Sequence, residues 1–325
     1  MWGLGLLHMR LLAMKIGLMT KIFEMEEKVN NTTEKTQRCK DCPRECPLGK
    51  SFCGKDENFV RVAKVMRHRY EEPIICPQNG SGAIFFSHCS LKCCFCQNYE
   101  ISHMGMGKDL TVCELAKLFE RVEKSGVANL NLVTPTHYTG KIIEALNTYK
   151  PNIPIVWNTS GYERVENIEK LKDYVDIFLF DFKYFDPELS LKYSKAKDYF
   201  EVCLTALKKA REIVPNDEFQ NGVMTKGIIV RHLVLPGAYE DSLKILDAIC
   251  DSVGNKTIIS LMSQFVPCYK AKEYKELQHT LPLLQYKKVV VHAKTLGFEH
   301  GFVQEMTSAS CDYTPDFSAE KFDEL

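Results

Sequence analysis

From Ala83 onward the chain alternates short β-rich runs with longer segments of helical period, and this alternation restricts the fold more than any other feature. The β-rich runs are Ala83–Ser87, Asn129–Val133, Ile155–Asn158, Ile177–Phe180, Gly227–Val234 and Thr257–Met262. Helical segments fall near 111–125, 139–149, 163–173, 196–213 and 240–253, with Pro or Gly at several connections. Six βα units predict an α/β fold with a parallel sheet, a partial (β/α)6 TIM-like barrel. A further apolar run, Val289–His292, reads as an added strand or as the closure of the open side. Barrels of this type do their chemistry at the carboxyl ends of the strands, so residues just after each run become the candidates.

Four regions follow. Residues 1–38 read as a leader and linker. The first 23 are apolar but broken by Arg10, Lys15 and Lys21, which argues against a membrane span. Met9, Met14, Met19 and Met25 offer later starts, and residues 24–38 are too polar to order themselves. Residues 39–79 form a small Cys-rich appendage with a helical-looking stretch at Val60–His68, residues 80–310 the barrel, and residues 311–325 a tail. Lys plus Arg equals Asp plus Glu at 42 each, so no basic field draws the chain to nucleic acid or to an anionic membrane. The 14 cysteines are clustered, which in a chain of 325 residues indicates a metal and a reducing, cytoplasmic compartment rather than a disulfide framework.

The loop after the first run reads Ser87-His88-Cys89-Ser90-Leu91-Lys92-Cys93-Cys94-Phe95-Cys96, a C-x3-C-x2-C pattern. Three thiolates suit a cubane iron–sulfur cluster and leave one iron of a [4Fe-4S] cluster open to another ligand. A zinc site, or reduced thiols packed as small hydrophobes, is the alternative. Cys94 lies off the pattern and reads as a bystander. There is no G-x-S-x-G and no G-x4-G-K-[ST], the signatures of common hydrolases and phosphate-binding loops.

With its aromatic residue before the third cysteine, this loop resembles that of the radical S-adenosylmethionine superfamily. The segments Gly80–Ser87, Leu132–Tyr138, Asn158–Tyr162 and Arg231–Gly237 are similar to an uncharacterised branch related to pyruvate formate-lyase activating enzyme. The similarity covers roughly Cys39 to Gln304. It implies that Cys89, Cys93 and Cys96 ligate the [4Fe-4S] cluster and that Phe95 packs beside the adenine of S-adenosylmethionine. Where relatives carry Gly-Gly-Glu near the methionine amino group, this chain has Thr134, Pro135, Thr136 and His137. Asn158 and Ser160 take the place of residues that bond the ribose or the carboxylate, Asp181 and Lys183 match an Asp-x-Lys element, and Arg231 pairs with the methionine carboxylate. Asp181 with Lys183, and Arg231, have a second reading as structural ion pairs, and His137 and His232 as satisfied core or loop histidines. His88 and Ser90 stand where close relatives have Gly and Asn.

The resemblance further implies reductive cleavage of S-adenosylmethionine to a 5′-deoxyadenosyl radical, with flavodoxin or ferredoxin as electron donor. The hydrogen donor is unidentified, a protein or peptide being one candidate and a glycyl residue of a partner enzyme the form that the resemblance suggests. The appendage, which the activating enzyme lacks, and the short 97–110 segment point to a distinct substrate. Competing readings are a noncatalytic iron–sulfur electron carrier or redox sensor, and a zinc-stabilised interaction module on an inactive barrel.

The appendage carries Cys39, Cys42, Cys46 and Cys53, spaced C-x2-C-x3-C-x6-C, with Pro43 and Pro47 turning the chain between them. Four thiolates suit zinc or a second iron–sulfur cluster, against a redox-active or merely buried set. Cys76 reads as lying near the barrel entrance.

Overall fold

The computed structural model describes residues 37–310 and 314–325, so most of the leader and linker lies outside the described residues. The chain divides after Arg38, and the unit from Cys39 to Leu325 holds the barrel. Its parallel core consists of β2 (Ser81–Phe86), β4 (Leu130–Val133), β5 (Ile155–Thr159), β6 (Ile177–Asp181), β8 (Val223–Leu233) and β9 (Ile258–Met262), paired side by side in that order. These six parallel strands realise the expected partial barrel. On the flanks, β1 (Val60–His68) runs antiparallel to β2, and β10 (Gly301–Val303) runs parallel to β9. Short β3 (Lys108–Leu110) pairs with β1.

Helices occupy the connections between the strands. They are α1 (Tyr99–Ser102), α2 (Val112–Lys124), α3 (Thr139–Thr148), α4 (Val165–Lys170), α5 (Pro187–Ser194), α6 (Tyr199–Ile213), α7 (Tyr239–Val253) and α8 (Leu283–Thr295). Thr111 starts α2 with a capping box: its hydroxyl accepts the Glu114 N–H while Glu114 accepts the Thr111 N–H. Among the described residues no helix is long and apolar enough to cross a membrane.

Strand alternation sorts the side chains. Ile155, Trp157, Phe178, Phe180 and Val230 join the large core beneath the helices. Their neighbours Val156, Ile177, Leu179, Ile229 and Ile258 face inward and form a smaller apolar layer inside the barrel. Ile75 completes that layer from the connection between β1 and β2, residues 69–80. Asn129 Nδ2 donates to the Ile75 carbonyl at 2.5 Å and the Met224 N–H to the Ile74 carbonyl at 2.8 Å, fixing this connection as a plug under the amino-terminal ends of the strands.

Two readings of local structure are corrected. Val60–His68 is a strand, not a helix. A bulge between Val62 and Lys64 shifts its register, so the buried positions Val60, Val62, Ala63 and Val65 imitate helical spacing. Val289–His292 belongs to α8, where Tyr286, Val289 and Ala293 are buried and Val291 is exposed, a 3.6-residue period despite the β-branched run.

Residues of the expected tail dock instead of trailing. β11 (Asp323–Glu324) pairs in parallel with β1. The buried Lys64 ammonium donates to the carbonyls of Asp316 and Lys321 at 2.9 Å each and pairs with Glu324 at 2.8 Å. Phe317 packs with Ala63, Ala83, Phe85 and Ile101. This segment fills the side of the barrel that Val289–His292 was expected to close.

Candidate active site

The β2 strand delivers the cysteine loop to the carboxyl-terminal end of the barrel. His88 begins it in the left-handed region (φ 71°), a conformation that favours glycine, which explains why glycine is the residue expected at this position. Space for the imidazole comes from two glycines of other segments. A methyl group at Gly105 would stand 2.6 Å from His88 Cε1, and one at Gly54 3.2 Å from Nδ1.

Cys89, Cys93, Cys96 and Phe95 line one cavity of about 380 Å³. Each sulfur accepts or shares a hydrogen bond: the Leu91 N–H with Cys89 at 3.4 Å, the Ser194 hydroxyl with Cys93 at 2.9 Å, and the Ser102 hydroxyl with Cys96 at 3.2 Å. Burial pushes the Cys89 thiol up to about 12, with Cys93 and Cys96 adding to the shift, and Cys96 up to about 11. Three such neighbouring thiols are costly to ionise unless iron charge balances them. Among the described residues no group of three His, Cys, Asp or Glu side chains is arranged to hold a single metal ion. What the three cysteines share is the cavity that they line, and three thiolates suit a cubane cluster with one iron left open. Cys94 is buried away from this cavity, its N–H on the Tyr193 carbonyl at 2.8 Å, as expected of a bystander.

Thr134, Asn158, Ser160, Asp181, Lys183 and Arg231 line the same cavity. Below the triad, four of them build a closed polar floor. Arg231 donates from Nε to Asp181 at 2.8 Å, from Nη2 to Asn158 Oδ1 at 2.7 Å and from Nη1 to Glu71 at 3.0 Å. Asp181 also accepts Lys183 Nζ at 2.7 Å. Burial pushes the Asp181 carboxyl up, but Arg231 and Lys183 outweigh it and leave Asp181 below the usual carboxylate range. Three of the five Arg231 N–H donors are thus spent, on Asp181, Asn158 and Glu71. Lys183 has spent one of its three donors; burial lowers its affinity for a proton, but the Asp181 carboxylate outweighs this and holds the ammonium above the usual lysine value. The Ser160 hydroxyl is buried with no hydrogen-bond partner.

Thr136 and His137 do not line the cavity. Thr136 donates at 2.7 Å to the buried Glu163, which also accepts Trp157 Nε1 at 3.0 Å and Thr159 at 2.6 Å. Buried His137 meets the Ser87 carbonyl through Nε2 at 2.8 Å, and burial lowers its basicity to about 3. Both support the turn after β4 from behind, where Thr134 itself is left-handed (φ 60°). His232 is a satisfied core residue, bonded to the Phe182 carbonyl at 2.7 Å and to the Ser242 hydroxyl at 2.8 Å.

Glu71, on the plug, was not among the candidates. No motif surrounds it, and only the fold brings it under the strand ends. His68, also unforeseen, lines the cavity with basicity lowered to about 4 by burial and by Arg231.

In the appendage, Cys39, Cys42 and Cys53 are buried and Cys46 is close to them; burial pushes the Cys42 thiol up to about 12, with the other three adding to it. The appendage is hydrogen-bonded to the rest of the unit. Its clear contact is with the triad loop. Arg44 donates to the Ser90 carbonyl at 2.7 Å and to the Ser194 carbonyl at 3.3 Å, and Lys92 returns a bond to the Cys53 carbonyl at 3.2 Å. Cys76 sits on the plug, its thiol on the His68 carbonyl at 3.4 Å, at the end of the barrel opposite the entrance.

A family model described as Radical SAM superfamily matches residues 83–249. The uncharacterised protein MJ0674 of Methanocaldococcus jannaschii is 30% identical over 277 residues, covering 81% of this chain and 76% of that one. Among solved structures, Streptococcus suis SuiB bound to precursor peptide SuiA aligns with a TM-score of 0.47 and 12% identity, over 68% of this chain and 48% of SuiB. A domain of pyruvate-formate lyase-activating enzyme from Bacteroides vulgatus aligns with a TM-score of 0.37 and 11% identity, over 60% of this chain and 91% of that domain. The chain thus spans about half the length of SuiB.

Proposed function

The chain belongs to the radical SAM superfamily, and from that premise we propose that it cleaves S-adenosylmethionine reductively at a [4Fe-4S] cluster held by Cys89, Cys93 and Cys96 and abstracts hydrogen from a substrate. When bound, the cluster supplies one electron that breaks the sulfur–C5′ bond, giving methionine and a 5′-deoxyadenosyl radical that takes a hydrogen atom from the substrate. The observation that carries this reading is the placement of the three triad thiols, the Lys183 ammonium and the partnerless Ser160 hydroxyl around one cavity.

The chain's own residues divide the work. Ser194, Ser102 and the Leu91 N–H stabilise the sulfurs by hydrogen bonds. Lys183, with two donors unspent, suits the methionine carboxylate, and Ser160 suits a ribose hydroxyl. Phe95, in edge contact with Phe265 at 5.9 Å and Tyr193 at 6.5 Å, supplies an apolar wall for the adenine and keeps water from the reacting carbon. A noncatalytic electron carrier would have no use for this cavity beside the thiols.

For the hydrogen donor we propose a protein or peptide, a glycyl residue of a partner enzyme being the form that the resemblance to activating enzymes supports. Flavodoxin or ferredoxin is the proposed electron source, and an oxygen-free, reducing cytoplasm the proposed setting. Zinc or a second iron–sulfur cluster in the appendage is proposed on thiol number and spacing alone.

The test is anaerobic. The protein is reconstituted with iron and sulfide, reduced and given S-adenosylmethionine, and 5′-deoxyadenosine is quantified by mass spectrometry. Its formation, dependent on Cys93, is the expected result; none from a correctly loaded cluster would sink the reading.

A further inference from the structure

The plug under the barrel carries a group that reaches the floor of the cavity. Glu71 Oε1 accepts Asn131 Nδ2 at 3.0 Å and Asn158 Nδ2 at 3.1 Å, while Oε2 accepts Arg231 Nη1 at 3.0 Å. Its side chain is 7% exposed, and it lines the same cavity as the cysteine triad. The orientation of the Asn158 amide follows from this arrangement. A carboxylate only accepts, so Asn158 must turn its NH2 toward Glu71 and its oxygen toward the Arg231 guanidinium. The backbone carbonyl of Asn158 in turn accepts the Thr134 N–H at 2.9 Å, so the ends of β4 and β5 are tied to the same residue.

Building on the reading of this cavity as an S-adenosylmethionine site, we infer that Glu71 is a positioning residue for cosubstrate binding. Acting from the plug through Asn158 and Arg231, it sets the floor against which S-adenosylmethionine is held. The fold thereby couples a connection outside the six βα units to the geometry at their opposite ends.

Glu71→Gln keeps the volume but offers one acceptor where two stood, and it places an NH2 against a donor. The dissociation constant for S-adenosylmethionine, read from its effect on the electron paramagnetic resonance spectrum of the reduced cluster, should rise about tenfold. Iron content should match wild type, and 5′-deoxyadenosine formation at saturating cosubstrate should stay within about threefold, the mark of a binding effect rather than a lost chemical step. Asn131→Ala is the second variant, because Asn131 holds Glu71 without lining the cavity. It should raise the constant about threefold, and it decides the matter if the Glu71 variant fails to fold. Wild-type affinity in folded Glu71→Gln or in Asn131→Ala, with only a lower melting temperature, would show a purely structural role and overturn the inference. No spectral response to S-adenosylmethionine in the loaded wild-type protein would overturn the cavity reading itself, and the two failures are told apart by that control.

Discussion

Replacing Arg231 with methionine tests whether the polar floor is held by charge. In the wild-type protein Glu71 and Asp181 face Arg231 and Lys183, two negative charges against two positive. Arg231→Met keeps much of the volume but leaves two buried acids facing one cation and removes three hydrogen bonds. Removing one partner of a buried charge pair costs about 3–5 kcal/mol, and at about 2 °C per kcal/mol the melting temperature should fall by about 6–10 °C at neutral pH. The pH dependence carries the sharper signature. Burial is the largest influence on Asp181 and pushes its carboxyl up; in the wild type Arg231 and Lys183 hold it low. Wild-type Asp181 therefore contributes stability that is present above its unfolded pKa of about 3.9 and is lost as pH falls through the lower folded value. Without Arg231 this contribution shrinks. Glu72, already raised by burial against the opposing pull of Arg231, rises further, and a raised carboxyl loses stability as pH rises through its folded value. The deficit of the variant should thus be larger at pH 8 than at pH 5.5, measured by anaerobic thermal melts of the loaded protein. Equal deficits at the two pH values, or a loss below about 1 kcal/mol at both, would refute the reasoning.

Three further outcomes are expected. Cys93→Ala should lose the cluster iron and all 5′-deoxyadenosine formation while circular dichroism shows the fold retained; cleavage by this variant would remove Cys93 from the ligand set. Lys183→Met should keep full iron content but weaken S-adenosylmethionine binding by about tenfold, the loss of one charge-assisted bond, and unchanged affinity would return Lys183 to a structural role. Phe317→Ala removes the ring packed edge-on to Phe85 at 5.7 Å and should cost about 3–5 kcal/mol. Because its neighbours Thr314 and Pro315 line the cavity, a ferrous chelator should also strip iron faster from this variant, and an unchanged stripping rate would show that the segment does not guard the site.

The parallel barrel was legible because its strands are buried on both faces and read as short apolar runs between helical segments. All six predicted runs overlap the six parallel strands, and α2, α3, α6 and α7 fall where the period placed them. The elements outside the repeat were less legible. In β1 a bulge disguised alternation as helical spacing, and in α8 three successive valines suggested a strand although only one face is buried. The hairpin of β7 (Glu218–Gln220) onto β8 had a local signal that went unread. Asn221 and Gly222 both take positive φ, 53° and 80°, the turn that an Asn-Gly pair favours between strands.

The site was legible in position but not in use. The residues that the resemblance singled out at the strand ends, Asn158, Ser160, Asp181, Lys183 and Arg231, line one cavity because inward-facing residues of neighbouring parallel strands stand level with one another; Asp181 is in register with Arg231. Pattern does not say how a side chain spends its hydrogen bonds. That is decided by a partner brought in from another part of the chain, and here the partner is Glu71, 160 residues before Arg231. Glu71, Asp181 and Asn158 take three of the five guanidinium donors and hold Arg231 in the floor. The same logic removes Thr136 and His137, whose polar atoms turn to Glu163 and to the Ser87 carbonyl. A residue type at a strand end is therefore a candidate ligand only until the rest of the fold has been placed around it, and around this cavity the Lys183 ammonium and the Ser160 hydroxyl are among the groups left with capacity to spare.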